Sequence, residues 1–485
     1  MNMILEGLEP KSVWQYFEEI SRIPRGSGNE KQISDYLVDF ANKHHLDVIQ
    51  DNALNVIIKK PGTSGYEDAP AVILQGHMDM VCEKNKDTKH DFLKDPIHLK
   101  VNGDFVEAEG TTLGADNGIA IAYCLALLSS EDIPHPPLEV VITTNEETGM
   151  EGAAELDASK LAGKILINMD SEEEGEFLVS CAGGARAHLI LKPEWVSGKK
   201  EGAVYSIQIR NLKGGHSGQE IDKGRGNANK MMGRILFDLQ EKISFNLISV
   251  NGGLKDNAIP REMDAVVQVN DNDVSKLTEI IDEWNEIFKN EYSTSDGDVT
   301  VKLELVREST DEILSEETKK KVIDVLTLIP NGIQSMSMDM QGLVESSTNL
   351  GVVITDKDKI QFISAVRSSV KTRKYAIINQ IKRLADVVGA EFFTRGEYPA
   401  WQYTTHSKIR NLFEKVYEEM YGKKSRINAI HAGVECGFFA EKIEGIDMIS
   451  FGPDMYDVHT PDERLSISSA KRTWEFLLAV LKEIK

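Results

Sequence analysis

The chain is short of cysteine, of long apolar runs and of positive charge, and each shortage removes a class of protein. Its 485 residues include 4 cysteines, Cys82, Cys124, Cys181 and Cys436, with no Cys-x-x-Cys spacing. Neither a disulfide framework nor a thiolate zinc site follows from that pattern. Buried free thiols are the expectation, and Cys82, although close to His77, is not expected to bind metal. No apolar run approaches the ~20 residues that a membrane-spanning helix requires. The start, Met1-Asn-Met-Ile-Leu5, has no basic n-region and no signal core, so the cytoplasm is the expected compartment. Lys and Arg number 55 against 78 Asp and Glu, a net charge of −23. Nucleic acids and anionic membranes both demand basic patches, so neither is an expected partner. Small substrates carrying an ammonium group remain compatible. There is no low-complexity segment, no short-period repeat and no Gly-rich phosphate loop.

What is present is the mixture of a folded globular protein, 41% apolar and 27% charged. A chain of this length exceeds one hydrophobic core, so two domains are expected. Amphipathic helices begin at Val13 and near Ile33, strands are predicted at Asn55–Ile58 and Ala71–Gln75, and Gly118–Leu128 reads as a buried helix. Short apolar runs alternating with helices predict a mainly parallel sheet with helices on both faces, an α/β fold. After Cys181 the pattern becomes α+β. Strands are predicted at Ala203–Arg210, Ala265–Val269 and across Val353–Val366, with helices at Ala228–Leu239, Val274–Phe288 and Lys374–Val388. Two segments, Asp256–Pro260 and Ser347–Gly351, precede alternating strands and suggest a duplicated half. Past Trp401 helix–strand alternation resumes. The expected organisation is a catalytic domain of residues 1–186 and 400–485 interrupted by an inserted α+β lid domain, residues 187–399.

Acids and histidines stand at the ends of the apolar runs. His77 and Asp79 close Ala71–Gly76, Glu146 and Glu147 follow Leu138–Asn145, Asp170 follows Lys164–Met169, and Asp116 precedes the buried helix. His459 lies in the returning segment. In open α/β sheets functional groups gather at the carboxyl ends of strands. Imidazole suits zinc and a carboxylate can bridge two cations, so this set fits a two-metal hydrolytic centre. Singly, each residue has a plainer reading. His77 reads as a satisfied core histidine, Asp116 as a helix cap, Asp170 as part of an acidic loop and His459 as a surface residue. Two consecutive acids after a strand are more specific. They project differently, so one can hold metal while the other moves a proton.

Gly76–Asp79, Gly114–Gly118, Asn145–Gly149, Asp170 and His459, in this order, closely resemble the aminoacylase/carboxypeptidase/dipeptidase family of co-catalytic zinc peptidases. Within it the chain is similar to the aminoacyl-histidine (Xaa-His) dipeptidases. The likeness extends to Ile23–Glu30, Gly214–Ser217, His431–Gly437 and Phe451–Pro453. It implies two Zn2+ per subunit, with Co2+ or Mn2+ able to substitute. His77 and Asp170 would hold one ion, Glu147 and His459 the other, and Asp116 would bridge them. It implies Glu146 as general base and acid, Asp79 as the partner of His77, and a cis bond between Asp116 and Asn117. His216 would polarise the scissile carbonyl, and Asn257, Arg367, Gly433 and Glu435 would bind substrate. The implied reaction is hydrolysis of unblocked small dipeptides, Xaa-His and β-Ala-His (carnosine) among them, by a cytoplasmic peptidase of peptide catabolism. A homodimer formed through the lid domain is also implied, with His216 acting within its own chain or across the dimer. The rival activities are an N-acyl-amino-acid deacylase or tripeptidase, a two-metal phosphoesterase, and a non-catalytic metal-binding protein.

Overall fold

The computed structural model describes residues 3–198, 202–307, 310 and 312–485. The chain divides into two compact units. Met1–Cys181, Tyr403–Ala429 and Val434–Lys485 form the first, and Ala182–Gln402 with Ile430–Gly433 form the second.

The first unit is built on an eight-stranded sheet whose middle is parallel. Four neighbouring strands, Leu138–Thr143, Val72–His77, Ile165–Asn168 and Asp447–Ser450, run in the same direction. Leu138–Thr143 and Val72–His77 are buried throughout, as central parallel strands must be. The margins are antiparallel: Val56–Lys60 pairs with Leu138–Thr143 on one side and Glu176–Cys181 with Asp447–Ser450 on the other. Helix Ala115–Ser129, small, apolar and almost wholly buried, packs on strand Val72–His77 and against helix Lys11–Ser21. Its approach depends on Gly76, where a Cβ would collide with the side chains of Asn117 and Ala120.

The chain from Tyr403 onward returns to complete this unit. Besides the central strand Asp447–Ser450, it supplies strands Met455–Tyr456 and Arg464–Ser466 to a second sheet of four antiparallel strands with Phe105–Ala108 and Leu99–Asn102. It also supplies helices Lys408–Tyr421 and Ile467–Glu483, which pack together. An aromatic cluster seals the junction. Phe177 stacks on Phe476 at 5.5 Å and meets Phe413 and Tyr417 edge-on at 5.2 and 5.6 Å.

The second unit contains two copies of one βαββαβ topology. One copy is Ala203–Arg210, Ala228–Lys242, Phe245–Gly252, Met263–Val269, Val274–Glu291 and Thr300–Arg307. The other is Gly183–Leu191, Glu316–Leu328, Val344–Thr355, Ile360–Ser368, Lys371–Val388 and Glu391–Tyr398, so the first copy is inserted after the opening strand of the second. In both, the sheet order is fourth, first, third, second strand, and the two second strands touch at Gly252 and Val353. The duplication is therefore one of topology. The two segments that suggested it are not equivalent: Asp256–Pro260 bears the two-residue strand Ala258–Ile259 between the second and third strands of one copy, and Ser347–Gly351 lies inside the second strand of the other.

Two details differ from expectation. Val353–Val366 is two strands, because the polar run Asp356–Lys359 makes a turn in which the Asp356 N–H donates to Lys359 O at 2.8 Å. The second unit begins at Ala182 rather than after residue 186 and ends at Gln402 rather than 399. Strand Gly183–Leu191 pairs with Ile360–Ser368 from its first residue, which draws the boundary back. Ile430–Gly433 also belongs to it: the Ala182 N–H donates to Ile430 O and Ala432 O at 3.1 and 3.0 Å. So short a return has no periodicity that a sequence could reveal.

Phe177→Ala should destabilise the first unit by ~3–5 kcal/mol, the usual cost of removing a buried aromatic ring. Urea denaturation checks this; a loss under 1 kcal/mol would show that the cluster is not what joins the returning segment to the sheet.

Candidate metal centre and active site

Four adjacent parallel strands deliver side chains past the same edge of the first sheet. His77 is the last residue of its strand, Asp170 lies two residues beyond Asn168, and Glu146 and Glu147 follow Thr143 after a short turn. The fourth strand, Asp447–Ser450, leads into the hairpin between Met455–Tyr456 and Arg464–Ser466 that holds His459. Asp116 stands at the start of helix Ala115–Ser129, and its bond to Asn117 is cis. Asn145 and His459 have φ of 50° and 65°, a left-handed backbone costing a non-glycine residue ~1–2 kcal/mol.

Asp116 is the centre of the arrangement. Its Oδ1 lies 3.1 Å from His77 Nε2 and its Oδ2 lies 3.1 Å from His459 Nε2. Asp170 Oδ1 is 3.3 Å from His77 Nε2, and Glu147 Oε1 is 2.9 Å from His459 Nε2. His77, Asp116 and Asp170 thus form one group able to hold a cation, and Asp116, Glu147 and His459 form another. A third grouping, His77 with Glu146 and Glu147, brings Glu146 to the same place. Among the described residues no cysteine joins these groups. Imidazole nitrogen and carboxylate oxygen together suit zinc, cobalt or manganese.

The electrostatics show how strongly this pocket calls for positive charge. Burial opposes protonation of His77, yet Asp170, Asp116 and Asp79 hold its pKa well above the ordinary value. Asp116 and Glu147 carry His459 up to about 11. Burial opposes ionisation of Asp116, but hydrogen bonds from His459 and His77 keep it well below the usual carboxylate range. Asp170 goes the other way, pushed up to about 6 by burial and by the charges of Asp116 and Glu147. Glu146 is raised well above the ordinary value by burial, with Asp170, Glu435 and Glu147 adding to the effect.

Asp79 does two jobs, only one of which was expected. Its Oδ1 is 3.3 Å from His77 Nδ1, which turns the Nε2 face of the ring toward Asp116. The same carboxylate accepts the N–H groups of Glu146 at 3.0 Å and Glu147 at 3.2 Å, and the Ser27 hydroxyl at 2.8 Å. It therefore ties the His77 strand to the turn bearing the paired glutamates. Glu435, expected to bind substrate, instead lies beneath them, fully buried, its Oε2 taken up by protein donors, Gln75 Nε2 at 2.5 Å and Thr143 Oγ1 at 2.7 Å. Burial pushes its carboxyl up to about 8.

The other expected residues, His216, Asn257, Arg367 and Gly433, belong to the second unit. The His216 ring accepts at Nδ1 from the Gln219 N–H at 3.2 Å, and burial followed by Arg367 lowers its pKa. The neutral ring must then carry its proton on Nε2, as a hydrogen-bond donor. The backbone carbonyl of Asn257 accepts from the Ser217 N–H at 2.9 Å, and Asn349 Nδ2 braces its neighbours by donating to Asp256 O and Ala258 O. Arg367 is buried and donates from Nη1 to Tyr398 Oη at 2.8 Å. A Cβ on Gly218 would stand 3.1 Å from His216 and 3.2 Å from Arg367 Nε, so these two groups share a small pocket with the Gly218 backbone.

Several participants escaped the sequence reading. His431 lies against this pocket: its Nε2 is 2.7 Å from Ser347 Oγ, and burial, then Arg367 and His216, push it down to about 3. Gln75, Asn349, Arg25, Glu30 and Glu463 were also given no part. Their neighbours in the chain are recognisable, but a single polar residue, whether inside a strand like Gln75 and Asn349 or in a loop, carries no periodic signal that says what it touches.

With the geometry in place, comparison with known proteins gives one consistent answer. The model of Peptidase family M20/M25/M40 matches residues 73–483. The cytosol non-specific dipeptidase of Escherichia coli K12 is 39% identical over 482 residues, covering 99% of each chain. A crystal structure of aminoacylhistidine dipeptidase from Vibrio alginolyticus superimposes with a TM-score of 0.94 at 38% identity, covering 99% of this chain and 98% of that one. The fold is also shared with an aminopeptidase from Bacillus cereus, at a TM-score of 0.58 and 15% identity over 98% of this chain and 99% of that one.

The raised carboxyl of Asp170 yields a test with a definite sign. An acid whose folded pKa is about 6 favours folding while protonated and loses that advantage as pH rises from about 4 through 6. In protein stripped by a chelator, Asp170→Asn should therefore raise Tm at pH 8 and change it little at pH 5. The same substitution should weaken Zn2+ binding at least ~10-fold. Calorimetry with metal titration checks both; an unchanged Tm at pH 8 would show that the carboxylate is not electrostatically strained.

Proposed function

The chain belongs to peptidase family M20/M25/M40 and is a metallo-dipeptidase; from that premise we propose that it hydrolyses unblocked dipeptides with two bound zinc ions, favouring histidine at the C-terminus. The observation that carries the two-metal reading is the disposition of Asp116, one oxygen toward His77 and the other toward His459. His77 and Asp170 would hold one ion and Glu147 and His459 the other, with Asp116 shared. When bound, the pair supplies Lewis acidity, polarising a carbonyl and lowering the pKa of water.

The chain's own groups divide the remaining work. Glu146 takes the proton of the attacking water and returns it to the leaving amine. Its backbone is fixed by Asp79, and burial raises its carboxyl above the ordinary range, which makes it a stronger proton acceptor than a free carboxylate. Glu147, 2.9 Å from His459, is the partner committed to metal. His216, with its proton on Nε2, is assigned to the carbonyl oxygen. Arg367 is assigned to the free carboxylate of the substrate, for which its planar fork is suited. Asn257 and Gly433 are assigned to the substrate backbone, and Glu435 to a supporting place below the ligands. The second unit is taken as lid and dimerisation domain of a cytoplasmic enzyme. The histidine preference is supported by the name of the Vibrio alginolyticus protein and tempered by that of the Escherichia coli one, called non-specific. Among the described residues no helix is long and apolar enough to cross a membrane.

A small panel tests the assignment: β-Ala-His, Gly-His, Ala-Leu, Ala-Ala-Ala and N-acetyl-Ala, with chelator-treated and zinc-restored protein. Cleavage of the free dipeptides, fastest for Gly-His or β-Ala-His and dependent on zinc, is expected. Cleavage of N-acetyl-Ala alone would make the chain a deacylase. Glu146→Gln should lower kcat by ~10²–10⁴-fold with metal still bound; activity near that of wild type would remove Glu146 as the base. Arg367→Ala should raise KM for free dipeptides by ~10–100-fold, the worth of a hydrogen bond to a charged group, and affect C-terminal amides far less. Equal losses on both substrates would count against its role.

A further inference from the structure

The loop that carries Asp116 is gripped from two sides by buried ions that the reaction does not use. On one side is Arg25, 2% exposed. Its Nη2 donates to Gly114 O at 2.5 Å, and its Nη1 donates to Met78 O at 3.0 Å and Asp79 O at 3.2 Å. The guanidinium lies against two glycines: a Cβ on Gly114 would stand 2.6 Å from Nη2, and one on Gly118 would stand 2.7 Å from it. This accounts for the glycines that flank Asp116 in Gly114–Gly118. Any side chain there would displace the arginine.

On the other side is Glu463, also 2% exposed. Its Oε2 accepts the N–H groups of Leu113 at 2.7 Å and Gly114 at 3.0 Å, and its Oε1 accepts those of Ala115 at 2.8 Å and Asp116 at 3.3 Å. Four consecutive amides thus converge on one carboxylate. Glu463 comes four residues after His459 in the same hairpin. Arg25 therefore links the His77 loop to the Asp116 loop through carbonyls, and Glu463 links the Asp116 loop to the His459 loop through amides. Burying two ions is costly unless they are well bonded; here each Glu463 oxygen accepts two amides and the two terminal nitrogens of Arg25 reach three carbonyls, with Arg25 Nε left without a partner, so the two groups are a strong geometric constraint. The segment around Arg25 adds two ties, from Ser27 to Asp79 and from the Asn145 N–H to Glu30 at 3.1 Å. The family model begins at residue 73, so this segment lies outside it.

We propose that Arg25 and Glu463 are positioning residues for the metal centre, locking the loops of His77, Asp116 and His459 into one frame so that Asp116 offers one oxygen to each side. The proposal rests on the assignment of those three residues as metal ligands. In such a frame metal binding need not order the ligands, and Asp116 cannot turn both oxygens onto one ion.

The test uses the full chain, stripped of metal and titrated with Co2+ while the d–d absorption is followed, with dipeptide kinetics at saturating Co2+. Glu463→Gln keeps the size but turns an NH2 toward amide donors, and Arg25→Lys keeps the charge but cannot span three carbonyls. For both variants the expectation is Co2+ affinity lowered ~10–100-fold, an altered d–d spectrum, and kcat lowered at least ~10-fold with KM little changed. A lowered Tm with wild-type Co2+ affinity, spectrum and kcat would overturn the proposal, as would failure of both variants to fold, which would assign the pair to folding. If wild type itself does not bind two Co2+ per chain, the ligand assignment falls and takes the proposal with it, an outcome distinct from failure of the variants alone.

Discussion

One carboxylate, that of Asp116, must serve two imidazoles at once, and most of the first unit is arranged around that requirement. His77 and His459 are separated by more than three hundred and eighty residues, yet each stands 3.1 Å from a different Asp116 oxygen. The parallel sheet brings the chain there four times because each of its four central strands ends at the same edge. The small antiparallel sheet fixes the last arrival, since His459 sits in a hairpin paired against Phe105–Ala108. Asp170, Glu147 and Glu146 then crowd negative charge into a pocket where burial strengthens every interaction. Their opposed shifts, Asp116 held down and Asp170 pushed up, are what an excess of buried carboxylates over available cations produces. A site of this kind favours positive charge within it.

The second unit meets a different demand, that of placing polar groups without freedom to move. Two βαββαβ copies join through their second strands, and buried asparagines cluster beside the join. Asn227 donates to Asn349 Oδ1 at 3.0 Å and to Leu350 O at 3.2 Å, while Asn349 braces the loop that bears Asn257. Next to that loop, the bond from Gln219 settles which nitrogen of His216 carries the proton. Arg367, packed in strand Ile360–Ser368 and bonded to Tyr398, is likewise held by its surroundings. A rigid donor costs less entropy on binding than one that must be ordered, so under the proposed function these local bonds would matter as much as the groups they hold.

Much of this was legible in the chain. The continuous apolar runs before His77, Glu146 and Asp170 marked them as strand-end residues, because covered parallel strands have no polar face. The long helices of the second unit were visible from their periodicity, and the acids and histidines that gather around Asp116 were singled out by their places at strand ends and their order in the chain. The ties among them were not. Asp79 as a cap for Glu146 and Glu147, and Arg25 between two glycines, depend on loops far apart in sequence. The turn at Asp356–Lys359 and the return of Ile430–Gly433 were lost for the opposite reason, being too short to show a pattern.

By itself the amino-acid sequence determined the elements, the layer arrangement and the kinds of ligand atom, since these follow from local periodicity and side-chain chemistry. The tertiary structure alone decided which oxygen of Asp116 faces which histidine, which nitrogen of His216 keeps its proton, and which buried ions hold the loops. Those choices are settled by distances of about 3 Å between groups hundreds of residues apart, and no local pattern encodes such distances.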